Sequence, residues 1–397
     1  MTGRRSAVAG VAAVLLLAAC LRAPVTSVGP LLERIGADTG LSAAALGLLG
    51  ALPVIGFGVG SALVHRPAVR FGLERVIAAA LLLLAGAVVL RSLPVPGALW
   101  VGTAVLGTVI AGGNVLAPAV IKRDHPGRIA LLTACFTAVM GTVAALGSGL
   151  AVPVSDALDG SWRLPLAGFA LLIAPVAVLW AVRALRSRST HAAADAVRVS
   201  GGATPPPVAM WRSRSAWLVS SFMGLQSMVF FILVTWLPTI ETSLGLDAAV
   251  AGWHLFAFQV VGMVSGLLLT TLMRGRGDLR ALAVVISLCE VAAMAGLYLV
   301  PGLALLWASL AAVGTGSSLV LALSLFGLRT AHPRHTAQLS AMAQTVGYVV
   351  AGCGPLLAGW IGGSFSWELV LVFTGAVALL QAVVSLGAAR PELILGR

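Results

Sequence analysis

Apolar residues in this chain come in long unbroken runs. They lack the one-in-two alternation of a half-buried strand and the narrow stripe of a surface helix. A helix needs about 20 mostly apolar residues to cross a bilayer. Charged or Pro/Gly-rich segments separate the runs and so predict twelve spans: 8–30, 42–64, 76–93, 98–121, 129–153, 164–185, 216–240, 249–273, 281–300, 303–327, 336–361 and 367–389. The third and ninth are the shortest. Segment 186–215 is different. It carries Arg186, Arg188, Arg198, Arg212 and Arg214 and the run Pro205-Pro206-Pro207. That composition cannot bury a core, so it reads as a linker between two six-helix bundles, 1–185 and 216–397.

Composition agrees. Of 397 residues, 59% are hydrophobic and 10% are charged, against about 25% charged in soluble domains. A soluble enzyme, a disordered chain and a secreted disulfide scaffold are excluded. Cys20, Cys135, Cys289 and Cys353 all lie within apolar runs and read as small buried hydrophobes, not as a disulfide or metal framework. The opening Arg4-Arg5, an apolar run and Leu17-Ala18-Ala19-Cys20 imitate a lipoprotein signal. Cleavage there would remove most of the first span, so the stretch is read as that span.

The net charge is +12. In a soluble protein this would suggest nucleic acid, but here position gives it another meaning. With the N-terminus inside, 21 basic residues fall on cytoplasmic segments and three (Arg34, Arg91, Arg163) on outer ones. That is the positive-inside rule, and it predicts a multi-pass protein of the bacterial cytoplasmic membrane with both termini inside. The expected partners are the lipid bilayer and a small-molecule substrate, with no nucleic acid, and the chain is expected to be a monomer.

The two halves resemble each other. Gly40-Leu-Ser-Ala-Ala-Ala-Leu-Gly47 matches Gly245-Leu-Asp-Ala-Ala-Val-Ala-Gly252, 205 residues on. Gly107-Thr108 matches Gly314-Thr315, and His125-Pro126-Gly127-Arg128 matches His332-Pro333-Arg334-His335, both 207 residues on. Two six-helix halves in parallel repeat place a substrate site between them near the bilayer midplane. The predicted fold class is therefore all-α: a polytopic membrane protein of twelve helices in two pseudo-symmetric bundles.

Motifs for other chemistry are missing. The only lysine, Lys122, follows Ile121, so there is no P-loop. No H-E-x-x-H and no G-x-S-x-G occurs. No cofactor, metal or catalytic residue is predicted, and transport remains.

Polar residues within the spans are then the candidates. Arg22 lies eight residues before Pro30, about 12 Å from the outer end of its predicted helix. It either offers a forked donor to an anionic or polar substrate or braces a helix through backbone carbonyls. Glu290 is the one acid well inside a predicted span. It is either a proton carrier or, the reading preferred here, a structural partner. His254 either titrates or sits neutral and hydrogen-bonded. Asn114, Gln226, Gln259, Gln344 and Tyr348 fall near mid-span and either line a cavity or bond helix to helix. Trp236, before Pro238, either caps that cavity or anchors at the interface. Glycines of the fifth span (Gly141, Gly147, Gly149) and of the eleventh (Gly347, Gly352, Gly354) permit close helix approach.

Several stretches carry a family resemblance. They are Leu21-Arg22-Ala23-Pro24-Val25-Thr26-Ser27-Val28-Gly29-Pro30, Gly113-Asn114-Val115-Leu116, Ile121-Lys122-Arg123-Asp124 and Phe222-Met223-Gly224-Leu225-Gln226-Ser227. With them go Trp236-Leu237-Pro238, Ala341-Met342-Ala343-Gln344-Thr345-Val346-Gly347-Tyr348 and Gly354-Pro355. Together they resemble the cyanate/2-nitroimidazole transporter family of the major facilitator superfamily. The resemblance implies a twelve-helix fold and transport of small polar or anionic compounds. It carries functional positions onto Arg22, Asn114, Gln226 and Gln344. There are two departures. The superfamily's loop after the second helix usually has an Asp before Arg-x-Gly, whereas Val69 precedes Arg70-Phe71-Gly72 here. A cytoplasmic gate at Arg70, Gly72 and Arg75 would then be held differently. The first, fourth, seventh and tenth predicted spans hold no acid, which leaves the usual place of a proton-coupling carboxylate empty. The competing reading is a proton-coupled multidrug efflux pump.

Overall fold

The computed structural model describes residues 2–125, 128–186, 210–331 and 333–394, so most of the linker and the pair Pro126-Gly127 lie outside the described residues. The described residues form helices throughout: α1 (Thr2–Leu21), α2 (Ala23–Thr26), α3 (Leu32–Thr39), α4 (Ala43–Leu63), α5 (His65–Phe71), α6 (Leu73–Leu90), α7 (Ala98–Asp124), α8 (Ile129–Asp156) and α9 (Arg163–Arg186). After the linker come α10 (Arg214–Ser243), α11 (Ala248–Met273), α12 (Arg280–Leu299), α13 (Ala304–Leu328), α14 (Pro333–Ser364) and α15 (Trp367–Ala388). Twelve helical stretches are long and apolar enough to cross a membrane, and each coincides with a predicted span. Two differ in a way that matters. The first runs over Ala9–Thr39 and is interrupted at Arg22. The seventh continues to Ser243, which brings Glu241 into a helix that sequence had ended at 240.

The chain separates into two compact units. One comprises Met1–Ser27, Ile55–Gly147 and Val154–Pro206, the other Val28–Val54, Ser148–Pro153 and Pro207–Arg397. The first unit buries Leu17, Leu21, Ile77, Leu84, Ile110 and Trp180 from α1, α6, α7 and α9. The second buries Phe222, Met223, Ile286, Leu321, Leu325 and Met342. Large aliphatic side chains such as Leu171 and Leu185 point outward, 82% and 86% exposed. In lipid that exposure costs nothing, because the solvent is itself hydrocarbon.

The repeat has a physical content at two places. At the turns, Gly40 and Gly245 both take positive φ, +69° and +94°, a region that disfavours any side chain. Two residues on, Ser42 accepts from Ala45 N at 3.3 Å and Asp247 from Ala249 N at 2.8 Å. The repeated Gly-x-Ser/Asp is thus a turn followed by a helix cap. The second place is a crossing. Gly56 and Gly60 of α4 press on Gly107 and Thr108 of α7, and Gly262 and Gly266 of α11 press on Ala312 and Gly316 of α13. Each pair is a small-xxx-small motif, and the pairs stand 206 residues apart. They let backbones meet where no Cβ fits.

A Cβ on Gly60 would overlap the Thr108 carbonyl oxygen, whereas one on Gly58 would meet nothing within 4 Å. Gly60→Val should therefore lose about 1–3 kcal/mol or more by overpacking, seen as a lower melting temperature in detergent. Gly58→Ala should melt with the wild type.

Candidate functional site

The interruption of the first span begins with Pro24. Its missing N–H removes the helical partner of the Cys20 carbonyl. Arg22 leaves the helix at φ −114°, ψ −39°, and a single turn, α2, follows. Every freed backbone group inside a bilayer must find a partner, and the partners are visible. The Val25 and Thr26 amides donate to the Arg22 carbonyl at 3.0 and 3.2 Å. Ser27 Oγ donates to the Ala23 carbonyl at 2.8 Å, and Thr26 Oγ1 donates to the Ala144 carbonyl at 3.0 Å. Arg91, at the end of α6, donates from Nη1 to the Pro24 carbonyl at 2.8 Å. The charge count had placed Arg91 in an outer loop. It is 1% exposed and serves as a brace for the broken helix. Gly102 of α7 makes room for it, since a Cβ there would lie 2.6 Å from Arg91 Cβ.

Arg22 itself is half-buried, near the middle of the 31-residue span Ala9–Thr39. A Cβ on Gly113 of α7 would lie 2.5 Å from Leu21 Cδ2. The two helices therefore meet at Leu21 and Gly113, and the adjacent residues Arg22 and Asn114 stand at one level. Asn114 is exposed. In the first unit, the structure thus gathers two of the predicted residues.

In the second unit, α10 and α14 cross at Gly224 and Gly347, where missing Cβ atoms lie 3.1 Å from Val350 and Met223 side chains. Gln226, Gln344 and Tyr348 are within a turn of that crossing. Gln226 is buried and donates to Ser227 Oγ at 2.7 Å and to the Met223 carbonyl at 3.2 Å. Gln344 donates to Ser340 Oγ at 2.8 Å. Gln344 and Tyr348 are both half-buried.

Trp236, Gln259 and His254 lie elsewhere, where Val28–Val54 and Ser148–Pro153 pack on α10, α11 and α14. Trp236 is 1% exposed, donates from Nε1 to the Pro355 carbonyl at 2.8 Å, and packs against Trp367 at a ring distance of 4.8 Å. Gln259 donates to Ser148 Oγ at 2.7 Å. Glycines make this contact possible. A Cβ on Gly29 would overlap the Val234 carbonyl, one on Gly47 the Pro355 carbonyl, and one on Gly359 the Ala43 carbonyl. A Cβ on Gly149 would lie 2.9 Å from the Trp253 ring.

Three charged clusters complete the picture. The first was missed in the sequence: Glu241 of α10, 0% exposed, pairs through Oε2 with His254 Nδ1 of α11 at 3.0 Å. The acid-free seventh span was an error of boundary, and Glu290 is not the only acid buried within a span. Glu290 is fully buried on α12. It accepts from Ser318 Oγ at 3.1 Å, and Gln381 donates to Ser287, Ser318 and Glu290 from the same amide. The third lies beside the predicted gate. Arg123 donates to Glu74 at 2.5 Å and to Asp124 at 2.7 Å, and Arg183 donates to Asp124 at 2.9 Å. Glu74, next to Arg75 in the chain, is the acid of this cluster that faces Arg123. Arg70 and Arg75 are exposed, and Gly72 joins α5 to α6 at φ +88°.

A span interrupted near its middle beside a charged side chain, in a repeated chain whose described residues include twelve candidate spans, is a geometry that transporters use. The model of the Major Facilitator Superfamily matches residues 14–352. The chain belongs to the major facilitator superfamily. It is 37% identical over 388 residues to the 2-nitroimidazole transporter of Escherichia coli K12, covering 96% of this chain and 95% of that one. It is 29% identical to the cyanate transport protein CynX of the same organism, over 87% and 88% of the two chains. A solved bacterial homologue of the human lysosomal transporter Spinster superposes with TM-score 0.77 at 17% identity, over 96% of each chain. That likeness speaks for the fold alone. This major facilitator is therefore a multi-pass transporter of small solutes in the cyanate/2-nitroimidazole family, and not an enzyme.

The signal for the missed Glu241 lay in the Thr-Ile-Glu-Thr-Ser stretch after Pro238. Hydropathy ends the span at 240 because charged and polar residues begin there, whereas the helix runs on to Ser243. Arg91→Leu should leave the Pro24 carbonyl buried without its donor, at about 1–3 kcal/mol. We expect a clear fall in melting temperature, and a smaller one for Arg91→Lys, which keeps a donor.

Proposed function

We propose that this major facilitator carries a small polar or anionic solute, of the cyanate or nitroimidazole kind, by alternating access between its two six-helix halves, with Arg22 as the main substrate-binding charge. The observation that carries the reading is the break at Arg22. It sets a guanidinium at a one-residue break near the middle of the span Ala9–Thr39, the kind of place where broken helices hold substrate in transporters. A guanidinium keeps its charge at any physiological pH and offers a planar fork to a carboxylate-like or nitro group. Asn114 from the first half, and Gln226, Gln344 and Tyr348 from the second, supply neutral donors and acceptors for the remainder of the solute. The two relatives named for 2-nitroimidazole and cyanate support the substrate class.

The glycine-lined contact of Val28–Val54 and Ser148–Pro153 with α10, α11 and α14 is, on this reading, the outer gate, with Trp236 and Gln259 in it. The Glu74–Arg123–Asp124–Arg183 cluster is the inner gate, in the loop region of Arg70, Gly72 and Arg75. The excess of basic residues on that side supports termini in the cytoplasm and residence in a bacterial cytoplasmic membrane. We assign the working unit as a monomer.

Purified protein melted against 2-nitroimidazole, cyanate, nitrate, short carboxylates and cationic dyes tests the proposal. A ligand at one hundred times its Kd stabilises the folded state by about 2.7 kcal/mol. We expect stabilisation by 2-nitroimidazole or a small anion, and its loss in Arg22→Gln. Stabilisation by cationic dyes that persists in the variant would support the efflux pump instead and remove Arg22 from the site.

A further inference from the structure

We infer that Glu241 and His254 form a proton-binding site that holds the outer end of the second unit closed. The inference rests on the alternating-access reading above, though it needs no particular substrate. Glu241 is completely buried, and its second oxygen, Oε1, has no hydrogen-bond partner. Its one polar side-chain contact is His254 Nδ1 at 3.0 Å, from the next helix.

The charge around the pair is sparse. α13 carries no charged residue, and α14 beyond His335 adds only Tyr348 and Cys353 among titratable groups. α12 offers Cys289, Tyr298 and Glu290, the last already bonded to Ser318 and Gln381. α15 contributes Glu368, in its first turn. Asp247 is occupied capping α11. From the first-half segment come Glu33, Arg34 and Asp38. Glu33 accepts from Thr242 Oγ1 at 2.5 Å, beside Glu241 in sequence.

A buried pair of one acid and one imidazole has two low-energy fillings, and both contain a single shared proton: carboxylate with imidazolium, or carboxylic acid with imidazole. Without that proton a bare carboxylate is left in a dry site, which is far costlier. The closed packing around Glu241 therefore requires the proton. The His254 ring is 13% exposed, so the proton can exchange with water there, but its loss leaves the Glu241 carboxylate unhydrated until the packing opens. Proton binding therefore favours closure, and closure is linked to pH. The device joins α10 to α11 next to the Gly29–Val234 contact, so it acts where the first-half segment meets the second half.

The test uses a reporter that needs no solute. Thr235 is 7% exposed, and its side chain lies 2.6 Å from where a Cβ on Gly50 would stand. Thr235→Cys, in full-length protein with Cys20, Cys135, Cys289 and Cys353 replaced by Ala or Ser, reports opening as the rate of labelling by a polar maleimide in nanodiscs. Each rate is divided by that of a fully exposed cysteine at the same pH, so that the rising thiolate fraction cancels. We expect the normalised rate to rise with pH, by up to about tenfold per unit between the midpoints of the closed and open states, as one-proton linkage allows. Glu241→Gln, neutral like the protonated acid, should label slowly at every pH. His254→Asn should keep a pH dependence with a displaced midpoint. Size-exclusion profiles and melting confirm that each variant is folded. A wild-type rate that does not respond to pH, or an unchanged pH profile in both variants, overturns the inference. Failure of every solute to stabilise the protein would instead strike the substrate reading and leave this result standing.

Discussion

The structure depends on one constraint: inside a bilayer, each backbone N–H and C=O must be satisfied by the protein itself. That constraint makes every described span a helix. It also makes the one interruption, at Arg22, informative. Pro24 forbids a continuous ladder, and Arg91 reaches from the end of α6 to donate to the Pro24 carbonyl. A buried arginine at the end of α6 is expensive unless bonded. Here Nη1 is bonded to the Pro24 carbonyl beside the break, while Nε and Nη2 are buried with no hydrogen-bond partner among the described residues. The result is a break in the helix near the middle of the span Ala9–Thr39, followed by a single turn, with Arg22 at its head.

Close packing supplies what hydrophobicity cannot. Lipid tails are as apolar as leucine, so helices in a membrane gain little by hiding leucine from them. The repeated Gly-x-x-x-Gly of α4 and α11 gives backbone contact instead, within each half. Other glycines, at Gly29, Gly47 and Gly359, make a second set of close contacts where first-half segments join the second unit. Contacts of this kind are dense, and in the second set the Gln259–Ser148 and Thr242–Glu33 hydrogen bonds fasten them. A transporter needs such surfaces to part and rejoin. The titratable lock lies beside them, in Glu241 and His254.

A contrast between acids follows. Glu290 and Glu241 are both fully buried. Glu290 accepts through Oε1 from Ser318 of α13 and Gln381 of α15, neutral donors within one half. Glu241 has a titratable partner on the neighbouring helix and lies next to first-half residues. The same side chain thus serves as packing in one place and as a switch in the other, according to its neighbours.

The repeat was legible in recurring motifs, since a turn needs its glycine and cap wherever it recurs, and the family in the resemblance of motifs spread from Leu21 to Pro355. Length and polarity alone fixed the twelve spans, because an apolar run of about 20 residues has one stable form in lipid. Arg22 was legible for the same reason: a charge within such a run stands out. The sequence did not show where Arg91 goes or that Glu241 lies inside a helix. Both sit at the ends of apolar runs, where a residue one turn either way is in water or in protein. It did not show that Gln226, Gln344 and Tyr348 share a crossing while Trp236 and Gln259 belong to the contact near Gly29. Those placements depend on which helix faces meet. Meeting is decided by glycines far apart in the chain and by the partners that buried polar groups must find, which only the tertiary structure brings together.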